Sequence, residues 1–294
     1  MDEAHQHGLK VMMGIEVARE RHGFDYDDQA AVKEQLEAIK KDVLALKDHP
    51  ALLLWGIGNE LNLHATNMKV WDAVNDISKM IHEVDPNHLT TTSLAGLDGE
   101  LSDEIMNRTS DIEILRIQLN GEIVSLPKTL ENVSWKGPII VTEWGATGYW
   151  EVEETKWGAY IEDNSSQKAE YYLERFNSSI RPLTKQCLGS YVFLWGQKQE
   201  RTSTWFGLYT AEGRKTETVQ VMHYLWKGKW PDTHCPKVLS FTLDDQSAID
   251  SIKLKRGKDY GASFILDDAT GVTFRWEILK ESTADETGGD EEEA

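Results

Sequence analysis

Short apolar runs alternate with longer stretches whose apolar residues recur every three or four positions, and this alternation confines the chain to a parallel α/β architecture. Val32, Leu36, Ile39, Val43 and Leu46 make one continuous helical stripe, and His49-Pro50 ends it because a residue before proline leaves the helical region. Trp71, Val74, Ile77, Ile81 and Val84 make a second stripe, stopped by Asp85-Pro86. Further helices are expected around Ala169, Tyr172, Phe176 and Ile180, and over 217–226. Between the helices lie six predicted strands, at 9–17, 52–58, 88–93, 112–119, 138–143 and 189–195. The second is almost wholly apolar, as a strand covered on both faces must be.

After Pro236 the period changes. Val272, Phe274, Trp276 and Ile278 alternate with polar residues and, with 239–243, 252–254 and 260–265, predict three or four antiparallel strands. A complete sandwich has about seven. The expected domains are thus a barrel-like unit over 1–231, a partial sandwich-like segment over 236–280 and an acidic disordered tail over 281–294.

The 294 residues carry a formal net charge of -19, which disfavours nucleic acid or an anionic membrane as partner and favours a neutral substrate. Two cysteines, Cys187 and Cys235, offer no metal-ligand spacing and demand no disulfide. No apolar run approaches the length of a membrane span, and the polar start, Met1 to His7, is not a signal peptide.

Two of the predicted strands end in a glutamate. Trp55-Gly56-Ile57-Gly58-Asn59-Glu60 closes the second and Ile139-Ile140-Val141-Thr142-Glu143-Trp144-Gly145 the fifth. Strands that deliver carboxylates at their C-terminal ends are how parallel α/β barrels build active sites, and a pair of carboxylates is the minimum equipment for cleaving a glycosidic bond. Glu60 is expected to protonate the departing oxygen and then activate water, with Asn59 on a sugar hydroxyl; Glu143 is expected to attack the anomeric carbon. The bland alternative for each motif is a polar strand end that caps a helix or pairs with a base.

In this order, three strands apart, the motifs resemble the retaining glycoside hydrolases of clan A, most closely the barrel domain of family 2. In that family the acid/base follows an asparagine at the end of the fourth barrel strand and the nucleophile ends the seventh. Asp2-Glu3-Ala4 and Gly8-Leu9-Lys10-Val11 look like the family's approach to its third strand. The resemblance covers roughly residues 1–230 and makes the six strands numbers three to eight of a (β/α)8-type TIM barrel, apparently incomplete. It implies that strands one and two are missing, with the arginine that strand two usually places near the nucleophile. Met1 then reads as an internal start within a longer ancestor, with truncation at the other end too. Six strands leave two open edges, so the expectation is a homo-oligomer, or the C-terminal β-segment, covering them.

Aromatic and polar residues complete the expected cleft. Trp195, at the end of the last predicted strand, matches the family's aromatic beneath the sugar ring. Trp144 and Trp150, with Tyr149, Trp157 and Trp205, fall in the neighbouring loops, where ring faces can stack on sugar C–H faces. Gln197 lies in a polar loop, Glu16 and Asn120 lie at strand ends, and Glu16 has an alternative ion-pair partner in Arg19 or Arg21. His64 and His88 also lie near strand ends, where a lone histidine is more often structural. The expected function is a retaining β-glycosidase or transglycosidase acting on an oligo- or polysaccharide, with no metal or organic cofactor. The alternative is a catalytically impaired, carbohydrate-binding remnant of such an enzyme. No Gly-x-Ser-x-Gly elbow supports an esterase. Relatives of this kind are often exported, while the chain itself leaves its compartment open.

Overall fold

The computed structural model describes residues 1–282, 284 and 292. The chain divides into two compact units, one of Met1–Leu119, Ser125–Glu143 and Pro182–Tyr191, the other of Asn120–Val124, Trp144–Arg181 and Val192–Ala294.

In the first unit a short helix α1 (Asp2–Gln6) leads into β1 (Val11–Ile15). Helix α2 (Gln29–Leu46) starts where the Asp28 carboxylate accepts from the amides of Ala30 and Ala31, and it buries Ile39 and Val43. Strand β2 (Leu52–Ile57) and helix α3 (Lys69–Val84) come next, and Trp71, Val74, Ile77 and Ile81 of the expected stripe are buried. Then come β3 (Thr90–Ala95), α4 (Gly99–Arg108), β4 (Ile114–Gln118), α5 (Leu126–Asn132), β5 (Ile139–Glu143) and β6 (Cys187–Ser190).

The six strands form one parallel sheet in sequence order, β1 to β6. The fold is an incomplete, TIM-barrel-like α/β sheet. Its curl is visible in side chains that meet across a skipped strand: Leu54 of β2, Ile114 of β4 and Ile140 of β5 form one buried cluster with Met12 of β1 packed on it. Neighbouring strands stand about 4.8 Å apart, so β2 and β4 side chains touch over β3 only on a concave face. By the two-residue period that face also carries Gly56, Arg116 and Gln118.

The second unit holds α6 (Ser165–Arg175), α7 (Glu217–Lys227) and an antiparallel pair, β7 (Val238–Leu243) with β8 (Ala262–Leu266). Asn164 and Gln167 cap α6 reciprocally, side chain to backbone in both directions.

Two expectations need correction. The sixth strand closes at Ser190, so Trp195 stands in the loop after it rather than at a strand end. Residues 252–254 and 272–278 are not strands. Phe274 and Trp276 reach Phe264 and Phe241 with their rings, but their backbone has no ladder partner among the described residues, and Ile278 is fully exposed. Alternation alone does not make a strand without a neighbour to accept its hydrogen bonds. Of the expected acidic tail over 281–294, residues 283, 285–291, 293 and 294 lie outside the described residues. Among those described, no helix is long and apolar enough to cross a membrane, and no cluster of His, Cys, Asp and Glu could hold a metal ion.

Candidate active site

The end of β2 is built from its backbone. Gly58 takes φ +66 and Glu60 φ +49, and a left-handed residue other than glycine costs roughly 1–2 kcal/mol. Main-chain bonds hold the turn: Glu60 N donates to Ser93 O (3.2 Å), and Glu60 O accepts from Arg21 Nη1 (2.7 Å). Asn59 O accepts from Arg19 Nε (3.3 Å). Just beyond, Asn62 and the Ala95 backbone exchange two bonds of 2.9 and 3.0 Å, tying the loop to β3.

Strand β2 itself is pinned on its other face. Trp55 is buried and donates Nε1 to Asp85 Oδ2 at 2.8 Å. Asp85 also meets His88 Nδ1 at 2.8 Å and accepts from Asn87 N. Burial pushes that carboxyl upward, but the bonds from Trp55, His88 and Asn87 outweigh it and hold Asp85 below its usual value. His88 thus has a structural partner in the residue that anchors β2.

The end of β5 is built differently. The β4–β5 register runs Ile117 to Val141 and then Gln118 to Glu143, skipping Thr142. One extra residue in a strand re-aims the side chains beyond it. The shift sets Glu143 opposite Gln118, whose Nε2 donates both to Glu143 Oε1 and to Asn59 Oδ1 (2.8 Å). A single amide therefore bridges the ends of β2 and β5, and it leaves the Asn59 amide nitrogen aimed elsewhere.

Two residues earlier on the same face lies Arg116, only 7% exposed. Its Nη2 donates to Gly58 O at 2.7 Å, and its Nε has no partner among the described residues. The guanidinium rests on Gly56: a Cβ there would stand 3.0 Å from Cζ and Nη1. Burial lowers the Arg116 pKa to about 10, while the charges of Glu143 and of ionised Tyr191 oppose the fall, so it remains a cation at neutral pH. Sequence reasoning missed Arg116 and Gln118. The signal was there, two polar residues at alternate positions of an otherwise apolar strand.

The other expected site residues lie apart from this cluster or in a different role. Glu16 comes just after β1, is exposed and pairs with Arg19 at 3.7 Å, the bland alternative of the sequence reading. In the second unit, Asn120 is half-buried and its Oδ1 has no partner among the described residues. Its neighbours Gly121 and Glu122 donate their amides to the Glu151 carboxylate, which also accepts from Gly148 N. Trp150 is 55% exposed and stands edge-on to Tyr149. Trp195 is 61% exposed beside Tyr209 and Trp226, and Gln197 is half-buried in the same loop. Trp144 needs correction as a sugar-facing residue. It is fully buried, packed on Tyr172 and Phe176, because the residue after Glu143 turns away into apolar packing.

Comparison with known proteins gives the family and the fold. Residues 1–221 match the family model of the glycosyl hydrolases family 2, TIM barrel domain. A β-D-glucuronidase of Dictyoglomus thermophilum superposes with TM-score 0.56 at 15% identity, over 78% of this chain and 42% of that one. A Bifidobacterium dentium β-glucuronidase, complexed with coumarin-3-O-glucuronide, superposes with TM-score 0.57 at 16% identity, over 79% and 39%. At such identities these likenesses establish the fold. An Arabidopsis thaliana protein assigned as mannan endo-1,4-beta-mannosidase 4 is 31% identical over 71 residues, 24% of this chain and 17% of that protein. The chain spans less than half the length of each of these three.

Proposed function

This chain belongs to the glycosyl hydrolases of family 2, and on that premise we propose that it is a retaining β-glycosidase or transglycosidase acting on oligo- or polysaccharides. Glu143 is the nucleophile and Glu60 the acid/base. A Glu143 oxygen attacks the anomeric carbon; the glycosidic C–O bond breaks with its electron pair going to the leaving oxygen, which takes the Glu60 proton. Water or an acceptor hydroxyl then attacks the same carbon and gives its proton to Glu60, and the ester electrons return to Glu143. Asn59 contributes its amide nitrogen to a sugar hydroxyl, and no metal or organic cofactor enters. Trp150, Trp195, Gln197, Asn120 and Glu16 remain proposed substrate contacts.

One observation supports this reading above the others: the Gln118 amide couples Asn59, beside the proposed acid/base, to the proposed nucleophile. A panel of aryl β-glycosides and glycans tests it with wild type, Glu143→Ala and Glu60→Ala. Wild type is expected to release the β anomer first, Glu143→Ala to lose about 10⁴-fold or more in kcat, and Glu60→Ala about 10²–10⁴-fold. Equal background rates for all three proteins, with oligosaccharide still bound, would replace the enzyme by a carbohydrate-binding module.

The parallel sheet ends at β1 and β6, and we extend the proposal to self-association that covers those edges. Light scattering of a stable monomer would refute the extension.

A further inference from the structure

We propose that Arg116 and Gln118, two residues apart on the concave face of β4, form the positioning device of Glu143. The buried guanidinium supplies the field that keeps Glu143 a carboxylate, and the Gln118 amide fixes one of its oxygens together with Asn59. The proposal rests on the reading of Glu143 as nucleophile and deepens it by naming the groups that hold that carboxylate.

A cation in the interior is expensive, several kcal/mol per ion even after relaxation, and it persists where a nearby anion and hydrogen bonds compensate. Among the described residues Arg116 has one such bond, to Gly58 O, and a bare Nε. The negative groups acting on it are Glu143 and, when ionised, Tyr191. Burial raises the Tyr191 phenol, and the pull of Arg116 does not cancel this, so near neutral pH the partner is Glu143.

Space for the guanidinium is made by Gly56, where any side chain would crowd Cζ and Nη1 at 3.0 Å. The shift that skips Thr142 then puts Glu143 in register with Gln118, the next residue on the face that Arg116 occupies. Three strands thus contribute to one arrangement: β2 a gap, β4 a cation and an amide, β5 the carboxylate. Gln118 Oε1 is buried with no partner among the described residues, so the amide is oriented by the acceptors of its nitrogen.

The test is titration of ¹³C-carboxyl-labelled glutamates by NMR, with Glu143 assigned by its loss in Glu143→Gln. In wild type Glu143 is expected to titrate below the ordinary glutamate value. Arg116→Met is expected to move it up by about one unit or more, and Arg116→Lys to recover at least about half of that shift. Gln118→Leu keeps the cation and is expected to lower kcat about tenfold to a hundredfold with a smaller titration shift.

A folded Arg116→Met protein with an unmoved Glu143 midpoint would overturn the assignment. Should Arg116→Met not fold, wild type decides alone: a Glu143 midpoint at or above the ordinary value overturns it. Hydrolysis assays run beside the titration separate the two claims. An inactive wild type whose Glu143 still responds to Arg116 sinks the hydrolase and spares the electrostatics; an active one whose Glu143 does not respond does the reverse.

Discussion

The two glutamate-bearing strand ends reach their positions by opposite means. At β2 the main chain does the work: a left-handed Gly58, a left-handed Glu60, and carbonyls and amides bonded to Ser93, Arg21 and Arg19. At β5 a one-residue register skip at Thr142 sets Glu143 opposite Gln118, and the Gln118 side chain of β4 bonds its carboxylate. A backbone-fixed group tolerates changes in side chains other than those bonded to its carbonyls, here Arg19 and Arg21, but no change in the turn itself. A side-chain-fixed group has the reverse sensitivity, and its ionisation is tuned by the same neighbours that orient it.

The largest effect that would break this contrast is Gly58→Val. The position needs φ +66, and a Cβ there would stand 2.5 Å from Leu61 Cδ1, on a side chain that is itself buried. A loss of about 3 kcal/mol in urea unfolding is expected, combining the left-handed penalty for a β-branched residue with the clash. Activity is expected to fall about 10²-fold through Glu60, since a displacement on the order of 1 Å can cost that much. A variant as stable and active as wild type would show that the turn is not what fixes β2.

Next comes Asp85→Ala, which reaches β2 from behind. It strands the buried Trp55 Nε1–H and removes a partner of His88, and a cost of about 1–3 kcal/mol is expected. The sign of its pH dependence comes from the depressed carboxyl. Stability from a group held below its unfolded-state value of 3.8 is fully present above that value and lost as pH falls through the lower folded value. The Tm difference between wild type and Asp85→Ala should therefore be constant from about pH 7 to 5 and shrink below about pH 4. A gap that widens in acid would refute this role of Asp85.

The β2 end was the more legible of the two in the sequence. Alternating apolar stripes announced the sheet and its helices, and Gly58-Asn59-Glu60 announced a strand end carrying a carboxylate, with a glycine at the position that turns left-handed. Arg116 and Gln118 were in plain view within an apolar strand, yet their meaning depends on curl and register, which bring β4 opposite both β2 and β5. A one-residue skip at Thr142 cannot be read from composition or period. Trp144 was misread for a related reason: the chain leaves the strand after Glu143, and the tryptophan packs on Tyr172 and Phe176, residues far from it in sequence. The β-segment after Pro236 shows the converse, a correct period at Val272 to Ile278 without the partner that would make it a strand.

The smallest prediction sharpens the contrast most finely. Glu20 accepts from Thr66 N (2.8 Å), Thr66 Oγ1 (2.6 Å) and Asn67 N (3.0 Å), tying down the segment that leaves Glu60. Its carboxyl is held below the usual range, first by the Asn67 amide and then by Thr66. The site is near the surface, so Glu20→Ala is expected to cost only about 1 kcal/mol, and Glu20→Gln about half that, because the amide oxygen can still take both backbone donors. If the β2 turn is self-sufficient, both variants keep kcat within about twofold of wild type, far inside the 10²-fold loss expected when the proposed acid/base itself moves. A loss in Glu20→Ala that approaches that of Gly58→Val, at unchanged Tm, would move the origin of the Glu60 geometry from the turn to the loop behind it. The strand end would then depend on a carboxylate beyond the Arg19 and Arg21 side chains that bond its carbonyls, and so stand closer to β5.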